Sequence, residues 1–155
     1  GLSAANGMAM AAKADKKDYR VYCICGDGEL QEGQIWEAAM TAAHYKLDNL
    51  TLFVDCNGLQ IDGKVEDVMN VAPVSDKFQA FGWKVLEVNG HDIAAIDQAV
   101  EKAKALKESP TVIVCKTTKG KGISFMENQA GWHGAAPDEQ QFKTAMEDLK
   151  RQGGL

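Results

Sequence analysis

Short apolar runs of strand length alternate with segments of helical period along the whole chain, and that alternation leaves few folds open. Residues 19–25 (YRVYCIC), 50–55 (LTLFVD), 83–88 and 111–115 read as strands. Between and around them lie helical patterns. Residues 2–14 are small and apolar, and 33–45 place Ile35, Trp36, Ala39, Met40 and Ala43 at helical spacing. A short helix is expected over 76–81. Asp92 suits the N-cap of a helix running to about Leu106, with Ile93, Ile96, Val100 and Ala103 on one face. A last amphipathic helix spans 138–151, and a polar, glycine-punctuated loop fills 57–64. Strand–helix alternation of this kind builds an α/β fold, a parallel β-sheet flanked by helices. The near-continuous apolar run at 50–55 suits a sheet covered on both faces. The chain of 155 residues is enough for one domain with one core.

Composition narrows the partners. With 45% hydrophobic and 25% charged residues the chain has the balance of an ordinary globular protein. Its formal net charge is −5 and no run of lysines and arginines forms a stripe, which argues against nucleic acid or an anionic membrane as partner. No stretch of about 18 apolar residues occurs, so no membrane span is expected, and no leader pattern signals secretion. Cys23, Cys25, Cys56 and Cys115 lie in or at the ends of apolar runs, and Cys23-x-Cys25 lacks the spacing of a zinc site. They read as reduced, strand-lining thiols of a cytoplasmic protein. The helical pattern begins at the first residue without a cap, which suggests an element cut in its middle and hence a fragment of a longer domain.

In open parallel sheets, ligands sit beyond the carboxyl ends of the strands. Three loops fall there: 26–33, 57–63 and 116–133. The first opens with Gly26-Asp27-Gly28. It is no dinucleotide fingerprint, because position 31 is Gln31 rather than glycine, and the phosphate-binding P-loop pattern is absent too. A carboxylate between the two glycines would repel a pyrophosphate unless a divalent cation stood between them; otherwise the tripeptide is simply a tight turn. Asn57 follows 30 residues downstream, directly after the next strand. One strand–helix–strand unit brings the ends of neighbouring parallel strands together, so Asp27 and Asn57 can face each other across an ion-sized gap. Mg²⁺ takes oxygen ligands in near-octahedral geometry, a few from protein and the rest from phosphate and water. Asp27 offers a carboxylate oxygen, Asn57 an amide oxygen, and the Leu59 carbonyl can add a third.

This pair resembles the thiamine-diphosphate motif. The surrounding segments GDGELQEGQIWEAAM, VDCNGLQIDG, KTTKGKGISFMEN and WHGAAP together resemble transketolase over essentially the whole chain. The resemblance implies the diphosphate-binding type of domain, with thiamine diphosphate and Mg²⁺ as cofactors. Asp27, Asn57 and the Leu59 carbonyl would ligate the metal, Gly26 and Gly28 would lie at the diphosphate, and Ile61 would touch the cofactor's rings. It assigns catalytic roles to His133, facing substrate and the reactive carbon, and to Glu32 and Glu37, near a dimer interface where they couple active sites. On the residues alone, both glutamates are also ordinary acids near a helix N-terminus, and a surface loop histidine is the lesser alternative for His133. His91 reads as shaping a turn, and His44 as complementing a helix C-terminus. Lys119 and Lys121, flanked by glycines, either approach a phosphate or decorate a solvated loop.

Transketolases carry a further upstream stretch, with substrate-binding histidines and a glycine-rich cofactor segment, and this chain is expected to start where that segment ends. The glutamate that activates the aminopyrimidine belongs to a different domain, reached across a dimer interface. The implied activity is transfer of a two-carbon ketol unit between sugar phosphates, in an oligomer with a second subunit or domain carrying the pyrimidine-binding module. The isolated chain is expected to be inactive. Two alternatives stay open: a 2-oxo-acid dehydrogenase E1 or deoxyxylulose-phosphate synthase subunit, and a non-catalytic remnant that folds without cofactor.

Overall fold

The computed structural model describes residues 1–153. Helix α1 (Leu2–Ala14) leads into strand β1 (Val21–Gly26), α2 (Gly33–His44) and β2 (Leu50–Cys56). A two-stranded hairpin, β3 (Leu59–Gln60) and β4 (Gly63–Lys64), follows, then the short helices α3 (Val65–Met69) and α4 (Val74–Ala80). Strand β5 (Lys84–Asn89), α5 (Ile93–Ala105), β6 (Thr111–Lys116) and α6 (Glu139–Arg151) complete the order. The four long strands form one sheet, β1-β2-β6-β5, with every pair parallel.

Alternate side chains of each strand go to opposite faces. On one face Val21, Cys25, Leu50, Leu52, Val54, Val112 and Val114 pack beneath α1, α2 and α4, where Leu2, Ala9, Ile35, Ala39 and Phe78 are fully buried. The small residues of α1 and α2 let the two helices lie close on the sheet, and Asn6 Nδ2 ties them by donating to the Ala38 carbonyl at 2.8 Å. Trp83 enters this core edge-on to Phe78 and donates its indole N–H to the Ala39 carbonyl at 2.9 Å. The opposite face carries a smaller cluster, Ala99, Ile113 and Cys115 with Phe53, Leu86, Val88 and Val100 beneath α5.

Four expectations need correction. The sheet is not covered on both faces throughout: α5 lies over β5 and β6, leaving Tyr22 at 45% and Ile24 at 73% exposure on β1. The face of α5 is rotated, because Ala99 and Ala103 carry the burial while Ile93 at the first turn stands 77% exposed. On α2, Ala38, Ala39 and Ala42 face inward and Met40 is exposed. On both helices alanines carry much of the contact with the sheet, which permits a close approach. Residues 57–64 hold the hairpin rather than plain loop, and residues 65–69 form a helix with no matching sequence expectation.

Asp92 caps α5 by accepting from the Ala95 N–H, and Asp138 opens α6 in a reciprocal capping box with Gln141. Near the other end of α6, buried Asp148 accepts from Ser124 N–H at 2.9 Å, Ser124 Oγ at 2.6 Å and Arg151 at 2.6 Å. These bonds hold its carboxyl below the usual aspartate range and pin the loop between β6 and α6.

Thr51, near the start of β2, is fully buried, and its Oγ1 has no hydrogen-bond partner among the described residues. A buried hydroxyl without a partner costs about 1–3 kcal/mol. Thr51→Val keeps the branched shape and is expected to raise the unfolding free energy by about 1 kcal/mol, measured by urea denaturation. A fall in stability would contradict this.

Candidate functional site

The parallel register decides what meets at the carboxyl edge. Gly26 pairs with Asp55, Asp55 with Cys115, and Cys115 with Val88, so one row runs across all four strands. The first residues past the strand ends, Asp27, Asn57, Thr117 and Gly90, therefore emerge on one edge. There the 26–32 turn, the hairpin and the 117–133 loop enclose a cleft of about 450 Å³. Its lining includes Gly26, Asp27, Gly28, Glu32, Asn57, Leu59, Ile61, Lys119 and His133.

Asp27 is buried, 5% exposed. Its Oδ1 accepts from Gly28 N–H at 2.9 Å and its Oδ2 from Gly58 N–H at 2.6 Å. The second bond crosses from β1 to β2 and fixes Asp27 beside Asn57. Gly58 makes it possible with φ +75°, a left-handed conformation that suits glycine. Gly28 is needed for a different reason: a Cβ there would lie 2.9 Å from Gln60 Cβ, so any larger residue would push the hairpin away. Gln31 Nε2 clamps that hairpin by donating to Gln60 Oε1 at 2.6 Å and to the Met69 carbonyl at 2.8 Å. Asn57 Oδ1 accepts from Leu59 N–H at 2.9 Å, and Ile61 is 69% exposed beyond it.

The 117–133 loop is built from its own contacts. Gly120 (φ +71°) lies against the Met126 carbonyl, where a Cβ would come within 2.5 Å. Trp132 packs on Phe125 and donates to its carbonyl at 3.1 Å. His91 is more than a turn former: its Nε2 accepts from Thr118 N–H at 2.7 Å, holding the start of this loop. The loop brings Lys119 Nζ within 3.5 Å of His133 Nδ1. Lys121 turns the other way, to Glu127 at 3.4 Å.

The candidate glutamates part company. Glu32 reaches the cleft wall, where its backbone caps α2 without a side-chain cap bond. Glu37 does not reach the cleft; it lines a separate depression between α1 and α2 with Ser3, Asn6 and Thr41. The cleft also gathers Glu29, Gln31, Asp55, Gln60 and Asp62, none of which stood out in the sequence. Their signal was only their position beside the glycine turns.

Burial is the main cause holding the Asp27 carboxyl above the usual carboxylate range. The charge of Asp55 adds to it, while the Gly58 and Gly28 N–H groups pull it back. Burial, with the charges of Asp27 and Asp55, pushes the Cys56 thiol up to about 12, so no thiolate nucleophile is at hand there. Asp27, Asp55, Asp62, Glu29 and Glu32 outnumber Lys119 among the charged groups of the lining. An anion entering this cleft needs a cation with it. The donors at its floor are hard oxygens, which suit Mg²⁺. Among the described residues no three His, Cys, Asp or Glu side chains converge as a protein-only metal site. A divalent ion here would thus complete its shell from amide, carbonyl and ligand oxygens.

The family described as transketolase, thiamine diphosphate binding domain, matches residues 1–152. The chain belongs to that transketolase family. It is 46% identical over 149 residues to one of the subunits of the apulose-4-phosphate transketolase of Phocaeicola vulgatus, covering 96% of this chain and 53% of that protein. It is 44% identical over 153 residues to the 6-deoxy-6-sulfo-D-fructose transketolase subunit SqwG of a Clostridium species, covering 99% of this chain and 56% of that protein. The chain thus spans about half the length of these curated relatives. The crystal structure of Campylobacter jejuni transketolase superposes with a TM-score of 0.91 at 40% identity, over 97% of this chain and 24% of that one. The transketolase-type parallel sheet flanked by helices is therefore the fold of this chain.

The raised Asp27 carboxyl has a measurable consequence. Its contribution to stability is complete below the ordinary aspartate value and declines as pH rises from there through the raised folded value. Without cation, Asp27→Asn should lack that decline, so its melting temperature should gain on the parent protein as pH is raised through this window. Mg²⁺ with thiamine diphosphate should then stabilise the parent alone. A melting difference independent of pH would contradict this.

Proposed function

We propose that this chain holds Mg²⁺ and thiamine diphosphate in the cleft at the carboxyl edge of its sheet. As one part of a transketolase, it would serve transfer of a two-carbon ketol unit between sugar phosphates. The observation that carries this reading is the buried Asp27 carboxylate, fixed by Gly58 N–H next to Asn57 in an acid-lined cleft. An anionic cofactor fits such a floor only through a divalent ion.

Asp27, Asn57 and the Leu59 carbonyl would hold the metal, and Gly26 and Gly28 leave room for the diphosphate to lie close to backbone. Lys119, the basic residue of the cleft wall that faces His133, would offset diphosphate charge that the metal leaves uncompensated. Ile61 presents an exposed apolar side chain to the cofactor's rings. When bound, the cofactor supplies the carbanion chemistry that makes and breaks the ketol bond. His133 places Nδ1 toward Lys119, which leaves Nε2 to donate a hydrogen bond or move a proton at the substrate hydroxyl or carbonyl oxygen. Glu32, on the cleft wall, and Glu37, on the α1–α2 surface, stand as proposed links to a neighbouring subunit's site. The two relatives named as transketolase subunits support a partner subunit, which would supply the pyrimidine-binding module. That module carries chemistry this chain's cleft does not display.

Calorimetric titration tests the binding half of this reading. Thiamine diphosphate should bind the protein only with Mg²⁺ present, and Asp27→Ala should abolish that heat; binding indifferent to Mg²⁺ or to the substitution would contradict it. Ketol transfer should appear only when a partner carrying the pyrimidine module is added, and turnover by the chain alone would contradict the shared-site proposal.

A further inference from the structure

Asn57 can serve a cation only if its amide oxygen, not its nitrogen, faces the ion, and the surrounding atoms show what sets that orientation. Nδ2 donates to Asp55 Oδ2 at 3.3 Å, while Oδ1 accepts from Leu59 N–H at 2.9 Å. Rotating the amide by half a turn would set its oxygen against the Asp55 carboxylate and its N–H against the Leu59 N–H, two repulsions in place of two bonds. Asp55 is itself held: Thr117 Oγ1, arriving from the end of β6, donates to Asp55 Oδ1 in a short hydrogen bond. Thr117 in turn is anchored through its N–H on the Cys56 carbonyl at 3.2 Å. Its methyl occupies the space left by the absent side chain of Gly90, just after β5, where a Cβ would lie 2.4 Å from Thr117 Cγ2. The ends of three strands, β2, β6 and β5, therefore feed one contact.

We infer that Asp55, steered by Thr117, is the positioning residue that fixes the amide of Asn57 with its oxygen toward the cation. This rests on the reading of the cleft as a Mg²⁺–diphosphate site. Oδ1 has two lone pairs, one taken by Leu59 N–H and one left for the metal. Asparagine at position 55 could not do this work. With its oxygen occupied by Thr117, it would turn an N–H toward Asn57 Nδ2 and favour the flipped amide. A carboxylate at position 57 would behave differently, because it has no oxygen-versus-nitrogen choice to set, and there the charge of Asp55 is only a repulsion.

These differences separate positioning from a role in folding. Mn²⁺ replaces Mg²⁺ as a probe, and free Mn²⁺ is read by electron paramagnetic resonance while it is titrated into the full chain with thiamine diphosphate present. Asp55→Asn should weaken Mn²⁺ binding about 10–100-fold, the usual effect of removing a partner that orients a metal ligand. In an Asn57→Asp background the same Asp55→Asn change should leave binding unchanged or tighten it. Thr117→Val should weaken binding severalfold, and Thr117→Ser, which keeps the hydroxyl, should restore it. Equal losses from Asp55→Asn in both backgrounds, or no loss in either, would overturn the inference while the functional reading stood. Absence of cofactor-dependent Mn²⁺ binding by the parent protein would overturn both.

Discussion

The bond from Gly58 N–H to the Asp27 carboxylate, 2.6 Å long and bridging β1 and β2, is the contact on which the rest of the cleft depends. It forms because neighbouring parallel strands end in register, with Gly26 beside Asp55. It also holds a buried acid in a place where burial and a second acid both disfavour its charge. A carboxylate kept in such a position is poorly explained by stability alone. In the proposed reading a bound cation would resolve this among the hard oxygens of the acid-rich wall, and the family match is to a thiamine-diphosphate-binding domain.

The cleft divides into a rigid part and an adjustable part. Strand ends and the glycine-rich turns fix Asp27, Asn57 and Leu59 through backbone hydrogen bonds, so their mutual placement follows from the register of the sheet. Lys119 and His133 arrive on a long loop that is tied down at three points: His91 at its start, Glu127 within it and Ser124 on Asp148 of α6. Groups proposed to hold the cation sit on the sheet, and groups proposed to meet a substrate sit on the loop. That is the usual placement of adaptable residues on a stiff scaffold.

Much of this was legible in the sequence. The order of the four long strands and their helices, and the meeting of Asp27 and Asn57 at one sheet edge, follow from hydrophobic period and spacing, because both depend only on local chain geometry. Asp55 and Thr117 were not legible: their contact requires β2 and β6 to be neighbours, a fact of strand order on which spacing is silent. Lys119 and Lys121 look alike in the sequence, and only the turn at Gly120 sends one into the cleft and the other to Glu127. Apolar character misleads at Met40 and Ile93, because α2 and α5 turn the alanines beside these residues toward the sheet. The exposure of Tyr22 and Ile24 is hidden for a similar reason, since a run of apolar residues does not say how far a covering helix reaches.

The central claim is a divalent ion shared between the ends of β1 and β2. Its most direct test is diffraction at the manganese edge from crystals grown with Mn²⁺ and thiamine diphosphate. One anomalous peak is predicted within coordination distance, roughly 2.0–2.2 Å, of an Asp27 carboxylate oxygen and of Asn57 Oδ1. Ordered diphosphate in the cleft with no peak between those two side chains, or a peak elsewhere, would contradict the account.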